Sequence, residues 1–289
     1  MSTPITFTAP SALEYFAALV ADDASLSVIE AAAAVAQDEY PQLDIQAVLA
    51  DIDALGLRLQ ARIPADAVPL QRLRWLNRFF FGELGFSGNV NDYYDCRNSY
   101  LHCVLESRRG IPITLALIYV ELATHIGLHA SGVSFPGHFL VKVKMPQGEV
   151  VIDPFSGQSL SRDELDAMLA PYRGGRGTPG SIDAPLGLLL RSATPREIVV
   201  RVLRNLKEIH RGSGDWARFL AVTQRLVIVA PDAWEERRDR GLAQAELGAT
   251  EAAATDLRAY LDGAPGAADA PAIRARLAEL GRRPPPRLH

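Results

Sequence analysis

Cysteine is almost missing from this chain of 289 residues, which holds only Cys96 and Cys103. Two thiols are too few for a disulfide framework, and they lack the paired spacing of a zinc site, so both are expected to be reduced. Long apolar runs are missing as well. No stretch approaches the roughly 20 apolar residues of a membrane span, and Met1-Ser2-Thr3-Pro4 opens without the basic and apolar regions of a secretion signal. A cytoplasmic protein that does not enter the membrane is expected. Basic clustering is absent too: Lys and Arg are spread along a chain of net charge −4, which excludes the electrostatic footprint of a nucleic-acid binder. The charge that is unevenly placed is negative. Residues 1–60 hold nine acidic side chains, from Glu14 to Asp53, against the single basic Arg58, the pattern of a solvated helical face.

What is abundant is hydrophobic residue, 48% of the chain, enough for a real core. Residues 11–62 read as two or three helices, because Leu13, Phe16, Leu19 and Val20, then Ile45, Val48, Leu49, Ile52, Leu55 and Leu59, recur at helical spacing. The pattern continues from Pro69 to Phe79 and stops near Gly82 and Gly85. A polar loop, Ser87 to Asp92, follows. Arg97 to Arg108 predicts a short helix closed at Gly110, where glycine supplies the left-handed cap. Pro112 suits the first turn of the next helix, since its missing N–H would have been unpaired there anyway. That helix, about 112–126, is apolar almost all round and is expected to be buried at the centre.

Beyond Gly127 the period changes to two. Val133 to Phe135, His138 to Lys144 and Glu149 to Asp153 read as strands, the last two joined by the turn Met145-Pro146-Gln147-Gly148. If Lys144 pairs with Glu149, Asp153 faces Leu140 and His138 becomes its diagonal neighbour on one face. Ser161-Arg162-Asp163-Glu164 is a capping box that opens a helix through about Leu169. Residues 173–185 form a Gly/Pro-rich connection, which places a boundary between residues 1–185 and 192–289. Thr194-Pro195-Arg196-Glu197 then starts a helical, repetitive tail. Gly214 and Gly248 lie 34 residues apart, as do Pro231 and Pro265, and Gly241, Ala253 and Pro265 fall at intervals of twelve. Such spacing matches the tetratricopeptide pattern, where close helix crossings demand small residues. A family-specific helical lid is the alternative.

His138 and Asp153 are the candidate chemistry. In thiol enzymes of the papain-like kind a cysteine sits at a helix N-terminus, where the helix dipole and an imidazole lower its pKa and a carboxylate orients the imidazole. In the transglutaminase-like cores that this segment resembles, the cysteine stands fifteen residues before such a glycine, and counting back from Gly127 lands on Pro112. No nucleophile stands there, and Ile111 and Ile113 cannot replace it. Thr114 lies one turn further in and would need a strong base in contact. Cys103 falls mid-helix and Cys96 in a loop, and neither is expected to take over. With no third His, Cys or carboxylate at a legible spacing, no metal and no cofactor are expected.

Several motifs carry a resemblance. Asp92-Tyr93-Tyr94-Asp95, Arg97-Asn98-Ser99-Tyr100-Leu101, Arg108-Arg109-Gly110-Ile111-Pro112-Ile113-Thr114-Leu115, Pro136-Gly137-His138-Phe139, Asp153-Pro154-Phe155 and Arg237-Arg238-Asp239-Arg240-Gly241 resemble the bacterial Sir-B-type regulator family. The likeness covers nearly the whole chain. It implies an α+β fold: N-terminal helices, a transglutaminase-like (papain-like) core of helix and antiparallel sheet, and C-terminal tetratricopeptide-like repeats. The expected function is a non-catalytic regulatory or protein-binding module. In it a relic cleft around Asn98, Pro112, Thr114, His138 and Asp153 holds a peptide or small ligand, and the C-terminal helices bind a protein partner. The alternative is a hydrolase or amidase in which His138, oriented by Asp153, acts as general base on water. Arg108, Arg109 and Glu106 are expected at a solvated helix end.

Overall fold

The structure is a computed structural model that describes residues 10–173 and 182–282. Most of the expected Gly/Pro-rich connection, residues 174–181, lies outside them. The first helix, α1 (Ala12–Leu19), is opened by the capping box of Ser11 and Glu14. Then come α2 (Val28–Ala34), capped by Ser27, and α3 (Ile45–Gln60), capped by Asp44. In each, a side-chain oxygen accepts one of the N–H groups that helix geometry leaves orphaned. Pro69 starts α4 (Pro69–Asn77), which widens into a π-helical turn over Arg78–Glu83.

The segment expected as one helix closed at Gly110 is built differently. A 3₁₀ turn, Cys96–Ser99, precedes α5 (Leu101–Ser107), and the left-handed residue that closes it is Arg108. Gly110 is extended instead, in the two-residue strand β2 (Arg109–Gly110), which pairs in parallel with β1 (Ser87–Gly88). Tertiary pairing has overruled the local preference of glycine for the cap. The predicted central helix is α6 (Pro112–His125), with Ile111 as N-cap and Pro112 at its first position. Every residue from Pro112 to Tyr119 is buried, which the absence of a polar stripe requires.

A four-stranded antiparallel sheet packs on α6, in the order β3 (Ala130–Phe135), β4 (His138–Met145), β5 (Gly148–Ile152), β6 (Ser159–Leu160). The register pairs Lys144 with Glu149 and Val141 with Ile152, which puts Asp153 across from Leu140. The capping box of Ser161 opens α7 (Arg162–Leu169). Val133, Phe135, Leu140 and Val151 of the sheet, Leu165 and Leu169 of α7, and Leu186 of α8 (Leu186–Leu189) bury one another.

The tail is helical as expected: α9 (Pro195–Ser213), α10 (Trp216–Val229), α11 (Trp234–Glu246), α12 (Thr250–Gly263) and α13 (Ala270–Arg282). Gly241 of α11 permits a close crossing with α12, since a Cβ there would lie 2.9 Å from Leu257 Cγ. Charge is buried here as well. Lys207 Nζ of α9 lies 2.5 Å from Glu236 and 2.9 Å from Asp239 of α11, and all three side chains are almost wholly buried.

Contacts divide the chain into residues 23–202 on one side, and 1–22 with 203–289 on the other. This differs at both ends from a boundary at 185–192. Leu186 joins the sheet core, the Ala193 N–H donates to the Gly132 carbonyl, and Ile198 approaches Gly132, so the segment past 185 belongs with the sheet. At the other end α1 packs on α10, with the buried Phe16 ring 5.4 Å beneath the Arg225 guanidinium.

Candidate functional site

Residues on three neighbouring segments of the 23–202 unit build the site. Alternation along β4 and the tight turn at Met145–Gly148 bring His138 beside the end of β5, where the chain leaves the sheet at Asp153. His138 Nε2 lies 2.8 Å from Asp153 Oδ1. The carboxylate also accepts the Phe155 N–H at 2.9 Å and the Ser156 hydroxyl at 2.7 Å. Asp153 thus closes its own turn through its side chain, the usual service of aspartate two residues ahead of an N–H. Burial pushes its pKa up, but the hydrogen bonds from His138, Ser156 and Phe155 and the imidazole charge outweigh burial and hold it below the ordinary value. An ionised carboxylate bonded to Nε2 leaves Nδ1 as the nitrogen available for proton chemistry. The imidazole is 20% exposed.

Phe155 carries the site across to the loop before α5. Its ring lies 6.5 Å from His138 and 5.9 Å from Tyr93, centroid to centroid. It also lies over Gly88, where a Cβ would come within 2.3 Å of the ring, while the Gly88 N–H donates to the Phe155 carbonyl at 2.9 Å. Only glycine allows that approach.

Asn98 is the fastener of this loop. Only 3% exposed, its amide donates to the carbonyls of Asp92 and Tyr93 at 2.7 and 3.2 Å, and its Oδ1 accepts from Asn89 at 3.0 Å. Its own carbonyl lies 2.7 Å from Thr114 Oγ1 and accepts the Ile111 N–H at 3.3 Å. The Asn89–Tyr94 loop is therefore tied to the start of α6. Its outer side presents Val90, Tyr93 and Tyr94, with Tyr94 75% exposed. Thr114 is fully buried and its hydroxyl is committed to the Asn98 and Ile111 carbonyls, an arrangement without a base. Pro112 is buried at the head of the helix.

Of the two thiols, Cys103 is held by groups other than the His138 imidazole. Cys103 Sγ lies 3.6 Å from the Tyr40 hydroxyl and 3.3 Å from His102 Nε2. Burial pushes the Cys103 thiol up, away from thiolate. Of the residues expected at a solvated helix end, Glu106 and Arg109 are exposed and Arg108 is not. Asp95 is paired with Arg97 at 2.6 Å, Arg109 donates to the Gly85 carbonyl, and Arg108 is half-buried against Phe86 instead of solvated. Among the described residues no group of three or more His, Cys, Asp or Glu is placed to hold a metal ion, and no helix is long and apolar enough to cross a membrane.

Gly88, Phe155 and Ser156 received no role from sequence alone. The signal for Ser156 and Phe155 was present in Asp153-Pro154-Phe155-Ser156-Gly157, a turn with an acceptor side chain at its head. The contact of Gly88 with Phe155 spans 67 positions and leaves no local trace.

The transglutaminase-like superfamily profile matches residues 46–204, and a tetratricopeptide repeat profile matches residues 206–278. A UPF0162 protein of Xylella fastidiosa is 37% identical over 260 residues, covering 90% of this chain and 92% of that protein. The UPF0162 protein PA3419 of Pseudomonas aeruginosa is 29% identical, with coverages of 90% and 92%. A crystal structure of menin, titled for its binding site for the Mixed Lineage Leukemia protein, covers 93% of this chain and 69% of its own at 12% identity. Its TM-score of 0.40 falls short of a shared fold.

Proposed function

Because the chain belongs to the transglutaminase-like superfamily and is kin to the UPF0162 proteins, yet opens its central helix with proline, we propose that it is a non-catalytic binding module acting in the cytoplasm. The observation that carries this reading is the buried start of α6. Pro112 offers no nucleophile, and the neighbouring Thr114 hydroxyl is consumed in holding Asn98. What remains is a braced surface in which His138 and Asp153 order one wall and Asn98 holds out Tyr93 and Tyr94. Tyrosines on a rigid backing give large contact area at low entropic cost, which suits a peptide. The tetratricopeptide helices supply a second surface for a protein partner.

The test is a display selection of peptides on the full chain, followed by measurement of affinity on Tyr94→Ala and His138→Ala. Peptides selected on the intact protein should lose affinity at least about tenfold in Tyr94→Ala. Selected peptides indifferent to both changes would reject the cleft as the binding surface.

One observation favours a second reading, hydrolysis of an ester or amide. The Asp153-bound imidazole keeps an exposed edge, as a general base on water requires. Release of product from glutamine amides or activated esters, lost in His138→Ala and insensitive to thiol alkylation, would establish it. Absence of turnover in both proteins is the result expected.

A further inference from the structure

Among the described residues Arg108 is the only non-glycine with a positive φ, at φ 60° and ψ 19°. It stands where glycine or asparagine ordinarily ends a helix, so this arginine adopts the position against backbone strain, and such outliers point toward function. Its guanidinium lies 4.7 Å from the centroid of Phe86. It forms no ion pair among the described residues, and Nη1 is buried without a hydrogen-bond partner.

A second unpaired guanidinium is close by. Arg58 of α3 and Arg108 both line a cavity of about 400 Å³ between α3 and α5, which Asp51, His102 and Glu106 also border. Burial, and then the charge of Arg58, depress the pKa of Arg108, while Asp51 offsets them in part. Neither carboxylate comes within 4 Å of either guanidinium. His102 Nδ1 is likewise buried without a partner, its other nitrogen lying 3.3 Å from the Cys103 sulfur. The two guanidiniums repel one another, and the half-buried Arg108 has carboxylates on the cavity border but none at ion-pair distance. What Arg108 Nη1 lacks is a directly bonded acceptor, which an anion small enough to enter the cavity would supply.

We propose that this cavity binds the oxyanion group of a small ligand, a carboxylate or a phosphate, clasped by Arg58 and Arg108. The planar fork of a guanidinium matches either group bidentately, and stacking on Phe86 holds the Arg108 fork in place. Asp51 and Glu106 on the border repel a ligand anionic along its whole length, so the ligand is one with a single anionic end. The site shares no residue with the His138–Asp153 pair and does not depend on the reading given to that cleft.

Calorimetric titration of the full chain with sodium phosphate, and separately with sodium butyrate, against chloride at matched ionic strength tests the site. Arg58 is exposed, so Arg58→Gln should melt as the parent does without anion and bind at least about tenfold more weakly. Arg108→Gly removes the strained side chain, should keep the fold, and should lose binding to the same degree. Binding of phosphate alone assigns a phosphate group, of butyrate alone a carboxylate, and of both a general oxyanion site. No heat with either anion, or undiminished binding in both variants, overturns the proposal.

Discussion

Asp153 gathers three hydrogen bonds on one carboxylate, since it receives His138, Ser156 and the Phe155 N–H together. Its folded pKa lies below the ordinary value. The stabilisation this represents is complete above the unfolded pKa and is lost as pH falls through the depressed folded value, below about pH 4. Asp153→Asn should therefore destabilise the protein by about 1–3 kcal/mol at neutral pH, with a smaller difference in acid. Urea midpoints measured from pH 3 to 7 check this, and a constant gap between the two proteins would contradict the linkage. Cys103 gives a second prediction at this scale. With its thiol pushed up by burial, it should react with iodoacetamide more slowly than a free cysteine at pH 7.5, as mass spectrometry of the alkylated peptide would record.

At the scale of elements, the Asn89–Tyr94 loop and the head of α6 are held together by one asparagine. Asn98→Ala leaves the Asp92 and Tyr93 carbonyls without their donor, and the expected cost is about 1–3 kcal/mol. Hydrogen exchange should quicken in residues 89–95 before it does in α6, whereas uniform loss across the unit would mean that Asn98 supports the core generally. In the repeats, Lys207 ties α9 to α11 through Glu236 and Asp239. Lys207→Met takes the buried cation from two carboxylates, of which Glu236 keeps Arg204 and Asp239 keeps Arg211 and Arg238, and should destabilise by about 1–3 kcal/mol. Adding Glu236→Gln to that variant should recover part of the loss, because one of the two buried carboxylates is then neutral. A double-mutant cycle measures the recovery.

For the whole molecule, the contact division argues for a boundary near residue 202 and for α1 as a partner of the repeats. A chain ending at residue 185 lacks Leu186 and Ile198, which cover the sheet, and should melt broadly. One running from 23 to 202 should melt cooperatively, with near-UV ellipticity retained. Equal behaviour of the two would show that the segment 186–202 adds nothing to the sheet. A tail of 203–289 should in turn gain thermal stability when residues 10–22 are present on the same chain, because Phe16 is fully buried there.

Local order sufficed for much of this. Pro112 and Gly127 bracket the central helix, and the unbroken apolar circumference between them demanded burial before any partner was known. The turn at Met145–Gly148 set the hairpin register, and period-two arithmetic then placed His138 beside Asp153, because a strand leaves a side chain no other choice of face. The repeats announced themselves through small residues at fixed intervals, since helices approach closely only where Cβ atoms are few. Three matters were decided by contacts between distant residues, which no local preference encodes. Gly110 became a strand because Gly88 pairs with it, and the left-handed position fell to Arg108. Arg58 and Arg108, fifty positions apart, came to border one cavity although each reads as an ordinary solvated charge. And α1 joined the repeats at the opposite end of the chain, because an apolar helical face states only that it must be covered, and the partner is chosen by shape and burial after the chain has folded.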